Sequence, residues 1–272
     1  MNHEASNDLR ERWDQRYATF SLDELCCLGA GARLNALIYS CKKRAVRRAL
    51  LAAGVRSCDR FSVLDMGCGW GLFADFYRQE FPRARYVGVD ISPRAVEHAR
   101  HTRPWGEFHA DDAVSWRHPL NARFDIVQAI DVLQLLVDDT AFTAALRNLV
   151  GHLAEGGALV IPVAFSERPS SNLNHRIRPR GFFDNVVTNL ELRVDAEFPM
   201  YYWLVDGGPE NRLLRALFAR TGPVPLYLID RLALGAGLTN RNPNQVLSTA
   251  RMMVIRRRLA DAIDHPKEAS ED

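Results

Sequence analysis

The sequence predicts an α/β chain, a mostly parallel sheet with helices on both faces. Three observations predict it. Val63-Leu64-Asp65-Met66 is a short apolar strand; Gly67, Gly69 and Gly71 follow at every second position, then Leu72, Phe73, Phe76 and Tyr77 at helical spacing. A second unit runs from Arg85 to Val89, is closed by Asp90, and enters a helix with Ser92 as cap and Pro93 in the first turn. Finally, Asp138 to Leu153 sets Phe142, Ala145, Leu146, Leu149 and Leu153 on one helical stripe, and Gly156-Gly157 turns into a strand from Ala158 to Ala164. Strands alternating with helices in this way build a parallel sheet covered on both faces.

The remaining elements follow in chain order. Residues 1–8 are polar and expected to be disordered. Asp8 to Tyr17 is read as a short helix with Trp13 and Tyr17 on one face. From about Arg33 to Ala53, Leu34, Leu37, Ile38, Cys41, Ala45, Ala49 and Leu50 form an apolar stripe. Lys43, Arg44, Arg47 and Arg48 lie opposite as a solvated face, and Gly54 fits a C-cap. A third strand is expected at Glu107 to Ala110 and a buried fourth at Phe124 to Ile130, followed by Asp131-Val132-Leu133-Gln134. Ser166 to Arg180 reads as a loop past the fifth strand, Gly181 to Leu190 as a helix and Glu191 to Phe198 as the sixth strand. Met200 to Asn244 reads as an insertion, with a helix at Glu210 to Arg220 and an apolar stretch at Leu226 to Leu234. Arg251 to Arg256 is the last strand.

Composition bounds the possible roles. The 272 residues suffice for one sizeable core. Apolar residues make up 47% and charged ones 25%, the ordinary globular range. A formal net charge of +2 gives no reason to expect a nucleic-acid partner. Cys26, Cys27, Cys41, Cys58 and Cys68 include no Cys-x-x-Cys pair and no paired-histidine motif accompanies them. Neither a disulfide framework nor a metal site is therefore expected, and a reducing cytoplasm is the expected location. The polar N-terminus does not read as a signal peptide, and no run of about 18 apolar residues predicts stable membrane insertion. Oligomeric state is not legible.

The glycine loop carries the chemistry. Dinucleotide sites use G-x-G-x-x-G with a pyrophosphate at the helix N-terminus. Here the pattern is G-x-G-x-G, and Asp65 stands just ahead of it. That acid repels phosphate and suits a cation. An acid about 20 residues past such a loop, as Asp90 is, accepts hydrogen bonds from ribose hydroxyls.

Val63 to Gly71 resembles motif I of the class I S-adenosylmethionine (SAM)-dependent methyltransferases, and Asp90 resembles their motif II acid. In that family an acid after the third strand meets the adenine amine; Asp112 matches best because Ala113 follows it, with Asp111 as the alternative. Phe124 to Ile130 resembles motif IV. The resemblance covers roughly Arg60 to Ala164. It implies a Rossmann-like, seven-stranded, mostly parallel sheet with helices on both faces and an antiparallel last strand. In that family segments ahead of motif I often form a lid, here the N-terminal helical extension over 1–58. The catalytic domain is expected over 59–257 with the substrate-side insertion at 200–249, and the charged tail over 258–272 is expected to be flexible. The implied cofactor is SAM, with S-adenosylhomocysteine as product and no metal. The implied cofactor-binding residues are Asp65, Gly67, Cys68, Gly69, Gly71, Asp90, Ile91, Asp111, Asp112, Ala113, Ala129 and Ile130.

The acceptor side is more individual. Many relatives carry a histidine where Gln134 stands, and a glutamine cannot relay a proton. Glu155 stands where a proline is common. The loop 166–180 holds His175, Arg176 and Arg178 at the edge where open α/β sheets bind ligands. His175 is the candidate general base, and Arg176 and Arg178 are candidates for binding an acidic substrate group. Tyr17, Arg33, Asn35, Tyr39 and Gln134 are further candidate substrate contacts. The expected activity is methyl transfer to an O, N or C nucleophile of a small molecule. Alternatives are methylation of RNA or protein, a SAM-binding role without catalysis, and lipid modification. The last rests on Gly-Cys-Gly-Trp-Gly, which is similar to the loop of cyclopropane fatty acid synthases. The Asn/Asp-Pro-Pro-aromatic turn usual in enzymes that methylate a nucleobase or amide amino group is absent at Ala129-Ile130-Asp131-Val132, which argues against that chemistry.

Overall fold

A computed structural model describes residues 3–22, 32–166, 170–172, 175–201 and 250–258. The elements are α1 (His3–Arg16), α2 (Ala32–Ala52), β1 (Ser62–Met66), α3 (Leu72–Glu80), β2 (Arg85–Asp90), α4 (Pro93–Thr102), β3 (Glu107–Ala110), β4 (Phe124–Gln128), α5 (Asp139–Gly151), β5 (Leu153–Ala164), β6 (Ser170–Asn172), β7 (His175–Ile177), α6 (Arg180–Asn189), β8 (Leu192–Tyr201) and β9 (Ala250–Arg257). The expected insertion at 200–249, with its helix and apolar stretch, and the expected tail lie almost wholly outside the described residues.

Seven strands form one sheet in the order β3-β2-β1-β4-β5-β9-β8. The first five pair in parallel, and β9 runs antiparallel between β5 and β8. This is the predicted Rossmann-like sheet. The strand alternation sorts side chains to the two faces. Val63, Ile126 and Val160 face α2, α3 and α4 through Ile38, Val46, Phe73 and Val96. Leu64, Val127 and Leu159 face α5 and α6 through Leu146, Leu149, Phe183 and Val187.

The caps are as read. Ser92 Oγ accepts Ala95 N at 3.1 Å with Pro93 following, and Asp138 Oδ1 accepts Ala141 N at 2.7 Å. Gly54, at φ 87°, receives the end of α2: its N–H donates to Leu51 O and Val55 N donates to Leu50 O, the Schellman pairing.

Three expectations need correction. Residues 1–8 were expected to be disordered, yet α1 begins at His3. No Pro or Gly interrupts that segment, and α1 is tied down where Asp14 accepts hydrogen bonds from Ser92 Oγ and Arg94 N. Gly156-Gly157 is a bulge inside β5 rather than a turn before it. The pairing with β4 shifts between Phe124 and Ile126, and Gly156 takes φ 70°. The stretch 166–180 is not simply a loop, because β6 and β7 pair there as a small antiparallel hairpin.

Candidate functional site

The C-terminal ends of β1, β2 and β4 meet at the glycine loop. Gly67 N and Cys68 N both donate to Val89 O, at 2.6 and 3.0 Å. The loop thus folds back over the end of β2. Gly67 sits at φ 81°, and a Cβ built there would overlap Val132 Cγ2. Only glycine satisfies both conditions. The Val132 turn after β4 therefore closes directly on the loop after β1.

Asp90 anchors the opposite wall. Its Oδ2 accepts Gly69 N at 2.8 Å and its Oδ1 accepts Ser92 N at 2.9 Å. Each oxygen keeps a second lone pair for a ligand hydroxyl. Burial pushes the Asp90 carboxyl up to about 6. Ile91, half-buried, continues this wall. Asp111 N donates to Asp90 O at 2.9 Å, which ties the turn after β3 to the same place. Within that turn Asp112 is buried, and its Oδ1 accepts Val114 N at 2.7 Å. Asp111 and Ala113 are half-buried. Ala129 and Ile130 are buried at the end of β4.

Asp65 lies beneath the loop. Its Oδ2 accepts the Tyr86 hydroxyl, while Oδ1 is buried with no well-aligned partner. Burial raises its carboxyl to about 6, against the lowering effect of Tyr86 and the nearby Gln128. Cys68 is an inert packing thiol: burial, then Asp90, pushes its pKa well up.

Tyr17 stands with the cofactor-side residues. Its ring is buried against Trp70 and Trp13, at 5.7 and 5.4 Å. Its hydroxyl oxygen lies 3.0 Å from the position a Cβ on Gly69 would take. Burial, followed by Asp90, raises its pKa well above the phenol range, so it remains a donor.

Asp131 organises the other side. It takes the left-handed conformation, at φ 63°. Its carboxylate forms an ion pair with Lys42, whose side chain is 0% exposed. Gln134 Nε2 reaches Asp131 Oδ1 at 3.5 Å. His175 is half-buried in β7; burial lowers its pKa and the Asp131 charge opposes that shift. Lys42 Nζ also stands 4.7 Å from the centre of the Tyr39 ring. Asn35 is buried one turn earlier and donates to Leu22 O at 2.7 Å. Arg33 lies in α2, with its side chain outside the described residues.

Arg176 and Arg178 are drawn elsewhere. Arg176 Nη2 pairs with Asp139 Oδ2 at 2.9 Å, and Arg178 Nε with Asp139 Oδ1 at 2.8 Å. Arg178 is 5% exposed and also donates to Leu136 O. These guanidiniums join the hairpin to the start of α5. Sequence reasoning passed over Lys42 and Asp131. A signal existed, since Lys42 falls on the apolar stripe of α2, one turn after Ile38. A charge at such a position requires a buried partner.

A seven-stranded sheet with one reversed strand beside the last, a glycine loop after β1 and acids after β2 and β3 define the class I methyltransferase fold. A family model described as a methyltransferase domain matches residues 64–159. The trans-aconitate 2-methyltransferase of Azoarcus sp. (strain BH72) is 34% identical over 124 residues, covering 45% of this chain and 47% of that protein. The protein of the same name from Methylobacterium radiotolerans is 38% identical over 99 residues, covering 36% of each. The chain thus spans about half the length, or less, of the curated relatives it matches. Among solved structures, magnesium protoporphyrin IX methyltransferase from Synechocystis PCC 6803, with bound SAM, superposes with a TM-score of 0.56 at 14% identity, covering 93% of this chain and 97% of that one. The N-methyltransferase NodS from Bradyrhizobium japonicum WM9, with S-adenosylhomocysteine, gives 0.53 at 16% identity, covering 90% and 96%. These likenesses are of fold.

Proposed function

We propose that this chain transfers a methyl group from SAM to an O, N or C nucleophile of a small molecule by in-line displacement. One observation carries the reading: the glycine cradle, Asp90 and Asp112 converge at the C-terminal ends of β1, β2 and β3. The residues fit the cofactor. Asp90 keeps free lone pairs beside the glycine loop, and Asp65 Oδ1 is buried without a well-aligned partner.

When bound, SAM supplies a methyl group on a positive sulfur, already activated for displacement. The residues of the chain then hold and orient. Asp90 accepts from ribose hydroxyls, Asp112 from the adenine amine, and Tyr17 shields the glycine loop from water. Lys42 fixes Asp131, and with it the turn that separates cofactor from acceptor. Alignment to about 3 Å supplies most of the acceleration in such a reaction. His175, kept neutral by burial, is suited to take the proton of an acceptor that is protonated at neutral pH.

A small-molecule acceptor is supported by the relatives named for trans-aconitate methylation. Methylation of RNA or protein is the second reading; a net charge of +2 does not favour RNA. The test is incubation with methyl-labelled SAM and fractionated extract of the source organism. Label is expected in a low-molecular-weight product. Label confined to protein or RNA would overturn the small-molecule assignment.

A further inference from the structure

A second concave site lies at the opposite end of the sheet, where β4 and β5 begin and α5 and β9 end. Its volume is about 560 Å³, within the usual range for small-ligand sites. Arg117, Arg123, Arg147 and Arg257 line it, together with His118 and His152 and with no acidic residue. The methyl-transfer reading makes no use of it.

The arginines are in excess of what the fold requires. Arg257 donates to Val150 O at 2.7 Å, which satisfies a carbonyl at the end of α5. Arg117 donates to Trp116 O at 2.9 Å and to Asn148 Oδ1. Arg123 and Arg147 are exposed, and no hydrogen bond or salt bridge holds either among the described residues. None of the four pairs with a carboxylate there, whereas Arg176, Arg178, Arg180, Arg193, Arg251 and Arg256 all do. A favourable helix C-terminus accounts for one or two cations. It does not account for four around one hollow.

Two buried imidazoles lie within this ring. His118 is 2% exposed, and its Nδ1 accepts Leu120 N at 3.1 Å, which leaves the proton on Nε2. That Nε2 has no well-aligned acceptor, although Glu107 Oε1 lies 3.2 Å away. His152 donates from Nδ1 to Asn148 O at 2.9 Å and stacks on Trp116 at 5.0 Å. Burial, then Arg117 and Arg123, lowers its pKa, a sign that the guanidinium fields converge there.

We propose that this pocket binds a compact polyanion carrying two or more adjacent phosphoryl groups. Guanidinium forks match phosphoryl oxygens bidentately. Four unneutralised cations around a hollow of this size suit a small molecule of charge about −3 to −4 better than an extended nucleic acid, which needs a long basic track.

The test uses the full chain and inorganic tripolyphosphate, titrated by calorimetry at fixed ionic strength. The comparison is with an Arg123→Gln, Arg147→Gln double variant, whose side chains are exposed and support no contact in the fold. We expect saturable binding, at least tenfold weaker in the double variant at unchanged thermal stability, and equal in the presence and absence of SAM. Sulfate at the same ionic strength is expected to reproduce none of it. Four outcomes would overturn the proposal: no binding, equal binding by the double variant, displacement by SAM, or single-stranded RNA binding more tightly than tripolyphosphate and losing that affinity in the double variant. None of them bears on methyl transfer, which is tested separately.

Discussion

Gly67→Ala is the sharpest probe of the pocket's architecture. Two costs add at that position. An L-residue at φ 81° gives up about 1–2 kcal/mol. The new Cβ also overlaps Val132 Cγ2, and overpacking of this kind costs about 1–3 kcal/mol. The sum is about 3 kcal/mol, against a total stability of about 5–15 kcal/mol, so the variant should fold with its melting point lowered by roughly 6–12 °C. Gly156→Ala is the control. It has a similar φ of 70° but nothing within 4 Å of its Cβ, so only the conformational cost applies. Val132→Ala in the Gly67→Ala background should recover about 1–2 kcal/mol of the overlap. Calorimetric melting of these variants, the Val132→Ala single variant and the wild type measures each quantity. Equal losses for Gly67→Ala and Gly156→Ala, or no coupling between Gly67 and Val132, would refute the close approach of the two turns.

Three further predictions concern charge. Asp90 titrates at about 6 in the fold against 3.8 ordinarily. Its raised pKa means that the stability it contributes is full below about pH 4 and is lost as pH rises through 6, a swing of about 3 kcal/mol. Urea unfolding of Asp90→Asn and wild type from pH 4 to 7.5 should therefore show the variant gaining on the wild type by that order; a flat difference contradicts the burial argument. Lys42→Met should destabilise by about 2 kcal/mol, less than a fully buried pair because Asp131 keeps 28% exposure. Asp131→Asn in the same chain should restore part of this, since asparagine tolerates the left-handed backbone; additive losses would show that the pair does not couple. His175→Ala should abolish turnover while SAM affinity stays at the wild-type value, and unchanged turnover would remove it as the base.

What the sequence revealed was local chemistry. The glycine loop, the Ser92 and Asp138 caps, the Gly54 terminus and the α5 stripe each depend on residues within a few positions of one another, so pattern and propensity identify them. The acids Asp90 and Asp112 were legible because the ends of adjacent parallel strands meet by topology. What escaped depends on pairing across the chain. Lys42 and Asp131 are 89 residues apart, and only the packed fold brings α2 against the turn after β4. Arg176 and Arg178 looked free in sequence because Asp139, 37 and 39 residues away, gives no local sign of claiming them. The bulge at Gly156 was misread because a strand that bends at glycine and a strand that starts after glycine have the same local signature.

The central claim is that SAM is held between the glycine loop and Asp90. Titration calorimetry with SAM on the wild type and on Asp90→Ala tests it most directly. Loss of the hydrogen bonds from the ribose should weaken binding by about 1–3 kcal/mol, roughly five- to 150-fold, with the variant still folded at neutral pH. Wild-type affinity in Asp90→Ala, or no SAM binding by the wild type, would contradict it.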